Sequence, residues 1–184
     1  EICYFPDIIH NSYLHLGQIK LGAANQINVE TFLGSGNNIY CSQDNLYVAE
    51  QHYYPRLNDY AGYAGENTVL YKFAIKDNIE YKARGIVPGT LLNQFSMDEY
   101  NNYFRIATTQ SQRSNMGSSN AVYILNSDLE QVNSIEGIAP GERIYSARFM
   151  GDRAYLVTFE QLDPFFVLDM NPSQPKVLGK LKIP

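Results

Sequence analysis

Three carboxylates near the ends of predicted strands are the residues of this 184-residue chain that could do acid–base chemistry. Glu50 and Glu160 each follow a tyrosine-containing apolar run, and Asp163 lies three residues after Glu160. Two carboxylates held roughly 5–10 Å apart can serve as the acid and the base or nucleophile of a glycosidase. Repeated structural units that place a polar residue where a strand ends would explain the same positions. Glu50 and Glu160 are therefore alternative acid/base candidates, and no catalytic residue is predicted outright.

Tyrosines and charged residues are concentrated in one long polar segment, YYPRLNDYAGYAGEN, at residues 53–67. A second polar loop, SQRSNMGSS, occupies residues 111–119. Long loops on a rigid scaffold often carry function, and tyrosine offers a large contact area at a low entropic cost. These loops predict recognition of a protein or a glycan, although the rings could instead pack on their own sheet. The candidate binding residues are Tyr53, Tyr54, Arg56, Asp59, Tyr60, Tyr63, Glu66, Arg113 and Asn115.

No metal site and no cofactor are predicted. Asp59 and Glu66, with Asn58, supply oxygen atoms of the kind that bind Ca²⁺, but EF-hand spacing and the glycine-rich nonapeptide pattern are absent. The histidines form no zinc-binding pattern; they are His10, His15 and His52. The glycine turns at 34–36 and 116–119 do not precede a helix, so neither resembles a phosphate-binding loop.

Composition and charge exclude several classes of protein. The net charge of −5 and the lack of a lysine or arginine run argue against nucleic-acid binding. No apolar run approaches the roughly 18 residues of a membrane span, so no transmembrane segment is predicted. Cys3 and Cys41 have no metal-type spacing, and they could be two free thiols or one disulfide.

Short apolar runs between polar breaks predict an all-β chain. Two pairs of runs flank the tripeptides QDN (43–45) and KDN (76–78), and a third pair flanks GDR (151–153). Such Asp-containing breaks between strand-like runs are typical of hairpin turns. The best helical candidate is SMDEYNNY at 96–103, but its asparagines favour a turn equally well.

The strand pairs repeat along the chain. Three segments of strand, turn and strand close on Ile-x-Pro or Ile-Pro, with the prolines Pro88, Pro140 and Pro184 spaced by 52 and 44 residues. Four short strands recurring every ~40–50 residues are the signature of a β-propeller blade. A blade buries its faces only against neighbouring blades, which explains apolar residues on both faces.

The run IYSARFMGDRAYLV, within 144–157, shows how one such hairpin should be built. Strict alternation would place Tyr145, Ala147 and Phe149 on one face of its first strand. Gly151 and Asp152 form the turn, and we expect Gly151 to adopt a positive φ.

The segments GIAPGERIYSARFMGDRAYLVTFEQLDPFFVLDM and TFLGSGNNIYCSQDNLYVAEQHY resemble bacterial and archaeal secreted proteins with a C-terminal β-propeller distantly related to WD40 repeats. The resemblance implies an exported or cell-surface protein, and it carries no catalytic motif. It also implies a partial propeller. Residues 1–34 would supply outer strands of one blade, and three further blades would occupy 35–89, 90–141 and 142–184. The exposed end blades of such an array could associate with another copy.

Three function classes follow. The first is a non-catalytic module that binds a protein or cell-surface glycan through the long-loop face. The alternative is an extracellular polysaccharide hydrolase or lyase that uses the carboxylates at the channel mouth. A rigid spacer without a ligand is the third possibility.

Overall fold

The structure is a computed structural model that describes residues 2–4, 12–20, 22, 27–54, 65–111, 117–159 and 164–182. Within these ranges the chain is almost entirely β, with one turn of 3-10 helix at Gln94–Ser96 and no α-helix. No helix in these ranges has the length and apolarity needed to cross a bilayer. The prediction of an all-β chain is confirmed.

Fifteen strands in the described ranges form four sheets. The first sheet contains β1 (Ile2–Tyr4), β2 (Tyr13–Ile19) and β3 (Ile27–Leu33). The second contains β4 (Asn38–Cys41), β5 (Asn45–Tyr54), β6 (Gly65–Ala74) and β7 (Glu80–Pro88). The third contains β8 (Met97–Tyr100), β9 (Tyr103–Ser111), β10 (Ser118–Leu125) and β11 (Gln131–Ile138). The fourth contains β12 (Arg143–Met150), β13 (Arg153–Phe159), β14 (Pro164–Asp169) and β15 (Lys176–Lys182).

The second, third and fourth sheets are antiparallel meanders in which spatial order follows chain order. They lie within the predicted ranges 35–89, 90–141 and 142–184. The first sheet differs, because its order is β1-β3-β2 and β1 runs parallel to β3, with Ile2 opposite Thr31. Residues 1–34 therefore supply three strands of one sheet, but β1 is not part of a meander.

The helical alternative for residues 96–103 is wrong. Met97–Tyr100 is the strand β8, and Asn101 and Asn102 form a two-residue turn into β9 with φ angles of 51° and 64°. Two positive φ angles match the twist of a tight hairpin, and asparagine tolerates them better than most residues. The asparagines therefore mark a hairpin turn, and β8 is the first strand of the third sheet.

Strict alternation also fails in β12. Ile144 lies opposite Thr158 and Ser146 lies opposite Val157, so Tyr145 is an extra residue, or β-bulge, between the two pairs. The bulge brings Ile144 onto the same buried face as Ala147 and Phe149, while Tyr145 points outward. The predicted grouping of Tyr145 with Ala147 and Phe149 is therefore wrong.

The sheets stack face to face in chain order, and each contact is an apolar cluster. The first and second sheets share a cluster around Phe32, Val48 and Phe73, and the second and third share one around Tyr47 and Phe104, whose rings stack at 4.2 Å. The third and fourth sheets share a third cluster that includes Val122, Ile124, Leu156 and Leu168. Both faces of each middle sheet are thus buried, as the repeat predicts.

Candidate functional site

The loop with the candidate tyrosines is carried by a two-stranded extension of the second sheet. β5 and β6 pair over ten residues each, ending with Tyr53 opposite Glu66 and Tyr54 opposite Gly65. The flanking strands stop earlier, since β4 pairs only to Ala49 and β7 only to Asn67. The hairpin therefore extends past its own sheet, and its backbone ladder fixes the base of the loop.

The two tyrosines at this base face opposite ways, as neighbours in a strand must. Tyr54 is buried, its hydroxyl accepts a hydrogen bond from Arg84 Nη2 at 3.2 Å, and the His52 ring meets it edge-on at 4.4 Å. Tyr53 is 43% exposed, and Glu66 opposite it is exposed as well. The structure therefore uses Tyr54 to anchor the hairpin and presents Tyr53 and Glu66 to solvent.

The remaining candidates lie outside the described residues. The binding role predicted for them stays a prediction, as does the acid/base role of Glu160. These residues are Arg56, Asn58, Asp59, Tyr60, Tyr63, Arg113, Asn115, Glu160, Asp163 and His10.

The base of the second loop is nevertheless well defined. Ser111 at the end of β9 pairs with Ser118 at the start of β10. Arg143 Nη2 donates to Ser111 Oγ at 3.0 Å, and Ser118 Oγ donates to the Glu142 carbonyl at 2.7 Å. The loop at 112–116 therefore begins and ends beside the connection from β11 to β12.

The amide side chain of Asn120 is buried next to the connection from β11 to β12. The sequence analysis did not select this residue. Its Nδ2 donates to the carbonyls of Ile138, Ala139 and Glu142 at 3.0, 3.4 and 3.1 Å, and its Oδ1 accepts from Thr109 Oγ1 at 2.7 Å. Every polar atom of the side chain is thus satisfied by backbone or by a hydroxyl. Asn120 fixes the link between the third and fourth sheets.

Glu50 is buried between the first and second sheets. Its Oε1 accepts a hydrogen bond from Ser35 Oγ, in the segment leading into β4. Glu50 lies five residues after Asn45, which closes the β4–β5 turn with Ser42. This contact positions the chain that enters the second sheet.

The other two meanders hold a threonine at the same position, and each threonine also has a structural partner. Thr108 lies five residues after the turn-closing Tyr103, and its Oγ1 donates to the Pro88 carbonyl at 2.8 Å. Thr158 lies five residues after the turn-closing Arg153, and its Oγ1 donates to Glu142. By hairpin register, the counterpart of Glu50 is therefore Thr158 and not Glu160, two residues further on.

Tyr71 and Arg84 lie on the same face of the second sheet as Glu50. Tyr71 lies opposite Arg84, and burial raises the pKa of the Tyr71 phenol well above its usual value. The Glu50 carboxylate raises that pKa further, while the positive charge of Arg84 and its hydrogen bond lower it. Sequence reasoning missed Tyr71 and Arg84; the alternate polar positions 50, 52 and 54 of β5 were the signal for this face.

The described residues contain no cluster of His, Cys, Asp and Glu side chains that could hold a metal ion. His15 Nδ1 lies 2.9 Å from Thr31 Oγ1 on the first sheet, and His52 packs on Tyr54. Cys41 is a free, exposed thiol, so the disulfide alternative for Cys3 and Cys41 is not realised.

Consecutive four-stranded meanders that stack through apolar faces define the β-propeller class of architecture. The chain belongs to the β-propeller domain family, whose sequence profile matches residues 1–184. This confirms the propeller part of the sequence-based resemblance. The relation to WD40 repeats stays a prediction.

Two archaeal relatives are similar to most of the chain. An uncharacterized protein of Methanocaldococcus jannaschii is 47% identical over 134 residues, which is 69% of this chain and 21% of that protein. An uncharacterized protein of Archaeoglobus fulgidus is 44% identical over 147 residues, which is 78% of this chain and 23% of that protein. The chain thus spans between a fifth and a quarter of the length of these relatives. No solved structure matches it significantly.

Proposed function

We propose that this chain is a non-catalytic binding module of an exported or cell-surface protein, and that it recognises a protein or a cell-surface glycan through the β5–β6 loop. The observation that carries the proposal is the hairpin extension that ends in exposed Tyr53 and Glu66. Export and surface location come from the family resemblance.

The paired strands β5 and β6 hold both ends of the loop in place. A loop whose two ends are fixed by paired strands loses less conformational entropy on binding than a loop with free ends. Tyr54 strengthens that base because Arg84 and His52 hold its ring on the buried side. A tyrosine presented from such a base combines a large apolar area with a hydroxyl that can bond to a protein or a sugar.

The test compares three variants with the native chain on a glycan array and in capture from cell-surface extracts. The variants are Tyr53→Ala, the same change combined with Tyr60→Ala and Tyr63→Ala, and Tyr81→Ala. Tyr81 is the matched control, since it lies on β7 and its exposure of 37% is close to the 43% of Tyr53. A buried aromatic anchor contributes ~2 kcal/mol or more, about thirtyfold in affinity.

We expect the triple variant to lose a ligand that the native chain and Tyr81→Ala both retain. Equal binding by all variants would contradict the proposal. The enzymatic alternative is tested in the same preparation by assaying polysaccharide cleavage with native chain and Glu50→Gln. Turnover that disappears in Glu50→Gln without loss of folding would replace the binding role by catalysis.

A further inference from the structure

A groove lies between the second and third sheets, above the apolar cluster that joins them. One wall is the β5–β6 hairpin extension, and the other is the β9–β10 hairpin, which pairs as far as Ser111 and Ser118. The floor is the connection from β7 to β8, which starts at Pro88 on the last strand of the second sheet and crosses to β9. We call this feature the inter-sheet groove.

Backbone hydrogen bonds attach the floor of this groove to both walls. The Gly89 N–H donates to the Glu66 carbonyl on β6 at 2.8 Å. Thr90 and Thr109 on β9 exchange two backbone hydrogen bonds of 2.9 Å. Gly89 has a φ of 89°, and a Cβ at this position would lie 2.7 Å from the Thr109 carbonyl oxygen. The floor therefore passes close to the β9 backbone at a point where no side chain fits.

The wall from the second sheet carries three exposed polar side chains. Ala49 and Leu70 lie opposite each other on β5 and β6, and both are buried against the third sheet. The two strands pair without a bulge, so alternation places Gln51, Tyr53 and Glu66 on this same face, further along the hairpin. All three residues are exposed, because they lie beyond the apolar cluster.

The wall from the third sheet carries Gln110 and Ser119, which lie opposite each other on β9 and β10. They share a face with Ile106 and Tyr123, which are buried against the second sheet. Gln110 Nε2 donates to the Tyr123 hydroxyl at 2.7 Å, and this bond holds the amide in place. Gln110 and Ser119 are half-buried, so the two walls present polar groups toward each other.

The equivalent space between the third and fourth sheets is closed by hydrogen bonds. Positions in the two hairpins can be matched by counting from the turn-closing Asn45 and Tyr103. The third-sheet counterparts of Gln51, Tyr53 and Glu66 are then Thr109, Ser111 and Ser118. Each counterpart bonds to the connection that follows β11 or to the first residues of β12. The second sheet thus leaves exposed the positions with which the third sheet closes its own gap.

The chemistry of the groove fits a sugar better than a protein. A protein partner would bury apolar anchors in its contact, whereas the described residues of these two walls are polar apart from the Tyr53 ring. Sugar hydroxyls both donate and accept hydrogen bonds, and the amides of Gln51 and Gln110 do the same. The apolar C–H face of a sugar ring can pack on the Tyr53 ring, whose hydroxyl remains available for a further bond.

Charge selects among sugars. Glu66 is the charged residue of the described walls, and its carboxylate can accept hydrogen bonds from sugar hydroxyls but repels the carboxylate of an acidic sugar. The net charge of −5 on the chain acts in the same direction. A neutral glycan therefore fits the inter-sheet groove better than an anionic one.

We propose that the inter-sheet groove binds a neutral oligosaccharide. One sugar ring packs on Tyr53, and its hydroxyls bond to Gln51 and Glu66 on one wall and to Gln110 on the other. This inference rests on the proposed function and deepens it, because it names the class of ligand and adds the third sheet to the site.

The test measures binding by isothermal titration calorimetry. The probes are neutral hexasaccharides of glucose, mannose and galactose, with a hexasaccharide of galacturonic acid as the anionic comparison. Gln51→Ala and Gln110→Ala each remove one amide from one wall. Gln131→Ala is the matched control, since Gln131 is an exposed glutamine on β11, the last strand of the third sheet.

We expect the native chain and Gln131→Ala to bind at least one neutral probe equally well. Gln51→Ala and Gln110→Ala should each bind that probe about tenfold more weakly, as expected for the loss of a hydrogen-bonding group. The native chain should bind the galacturonate probe more weakly than the neutral one, and Glu66→Gln should reduce that difference. Circular dichroism checks folding, and Ser119→Leu, which fills the groove from the third sheet, replaces Gln110→Ala if the latter is unfolded.

Three results overturn this inference. The first is a native chain that binds no neutral probe, and the second is a neutral probe bound equally well by the native chain and both groove variants. The third is a stronger affinity for the galacturonate probe than for every neutral one.

The proposed function fails separately. A protein ligand that is lost when Tyr53, Tyr60 and Tyr63 become alanine, but is retained by Gln51→Ala and Gln110→Ala, would support the binding module and reject the glycan groove. Equal binding of every ligand by the native chain and the tyrosine variants would reject the binding module itself.

Discussion

Replacing Gly151 by valine should destabilise the chain through backbone strain at a single turn. Gly151 has a φ of 53°, and it joins β12 to β13 in a two-residue turn closed by Met150 and Arg153. A non-glycine residue in this left-handed region costs about 1–2 kcal/mol, and a β-branched residue costs most because its Cβ substituents crowd the backbone. We therefore expect Gly151→Val to lose ~2 kcal/mol.

The surroundings identify the cause of that loss. A Cβ at Gly151 would meet only the Tyr100 hydroxyl, at an ordinary 3.9 Å, so a clash does not contribute. The turn cannot relax by moving, because the Gly151 carbonyl accepts from Arg105 Nη1 at 2.7 Å and the Asp152 carbonyl accepts from the Met170 amide at 3.0 Å. Strain in the turn is therefore retained in the native state.

The assay is thermal and urea unfolding of the native chain and three variants. A loss of about 2 kcal/mol corresponds to a fall in Tm of roughly 4–8 °C for a chain of this size. Gly151→Ala should lose less, since alanine has no branch at Cβ to crowd the backbone at a positive φ. Gly151→Asn should lose least, because Asn101 occupies the same turn position in the third sheet at a φ of 51°. Equal Tm values for all three variants, or an asparagine variant as unstable as valine, would refute the reasoning.

Two further predictions concern buried polar groups. Asn120→Ala removes the donor to three carbonyls and leaves the Thr109 hydroxyl without its acceptor. Urea unfolding should therefore show a loss of about 2–4 kcal/mol in the free energy of unfolding. An unchanged free energy would argue against a role of Asn120 in joining the sheets. The raised pKa of the buried Tyr71 phenol means that only the unfolded state releases this proton just above the usual phenol pKa of about 10. Stability should therefore fall as the pH rises above that value, by up to ~1.4 kcal/mol per pH unit from this residue, and Tyr71→Phe should reduce the slope; identical slopes would show that this phenol does not contribute.

The sheets could be predicted from sequence wherever turn chemistry and alternation agreed. The QDN, KDN and GDR breaks each separate two observed strands of a sheet. Prediction failed for β8, where the asparagines that permit positive φ are also compatible with a helix end. It failed again at Tyr145, since a bulge depends on how the partner strand is registered, and that register is a long-range property of the fold.

The candidate site could be predicted less well, because burial depends on which sheets stack together. The composition of residues 53–67 indicates a tyrosine-rich loop, but it does not show that Tyr54 faces Arg84 while Tyr53 faces solvent. The hydrogen bonds of Asn120 could not be predicted from the sequence for the same reason. Most of their acceptors are backbone carbonyls of a connection about 20 residues further along the chain.

The repeat itself separates structural from functional polar residues. The position five residues after the first hairpin turn holds Glu50, Thr108 and Thr158. Glu50 and Thr158 bond to the segments that lead into their own sheets, and Thr108 bonds to Pro88 at the end of the preceding sheet. A position whose side chain has a structural partner in all three sheets needs no catalytic explanation. The β9–β10 hairpin extends past β8 and β11 as the β5–β6 hairpin extends past β4 and β7. What departs from the repeat is the length of the segment between the two strands, with ten residues at 55–64 against six at 112–117 and four at 160–163. The feature that departs from the repeat is therefore where a function particular to this chain should be sought first.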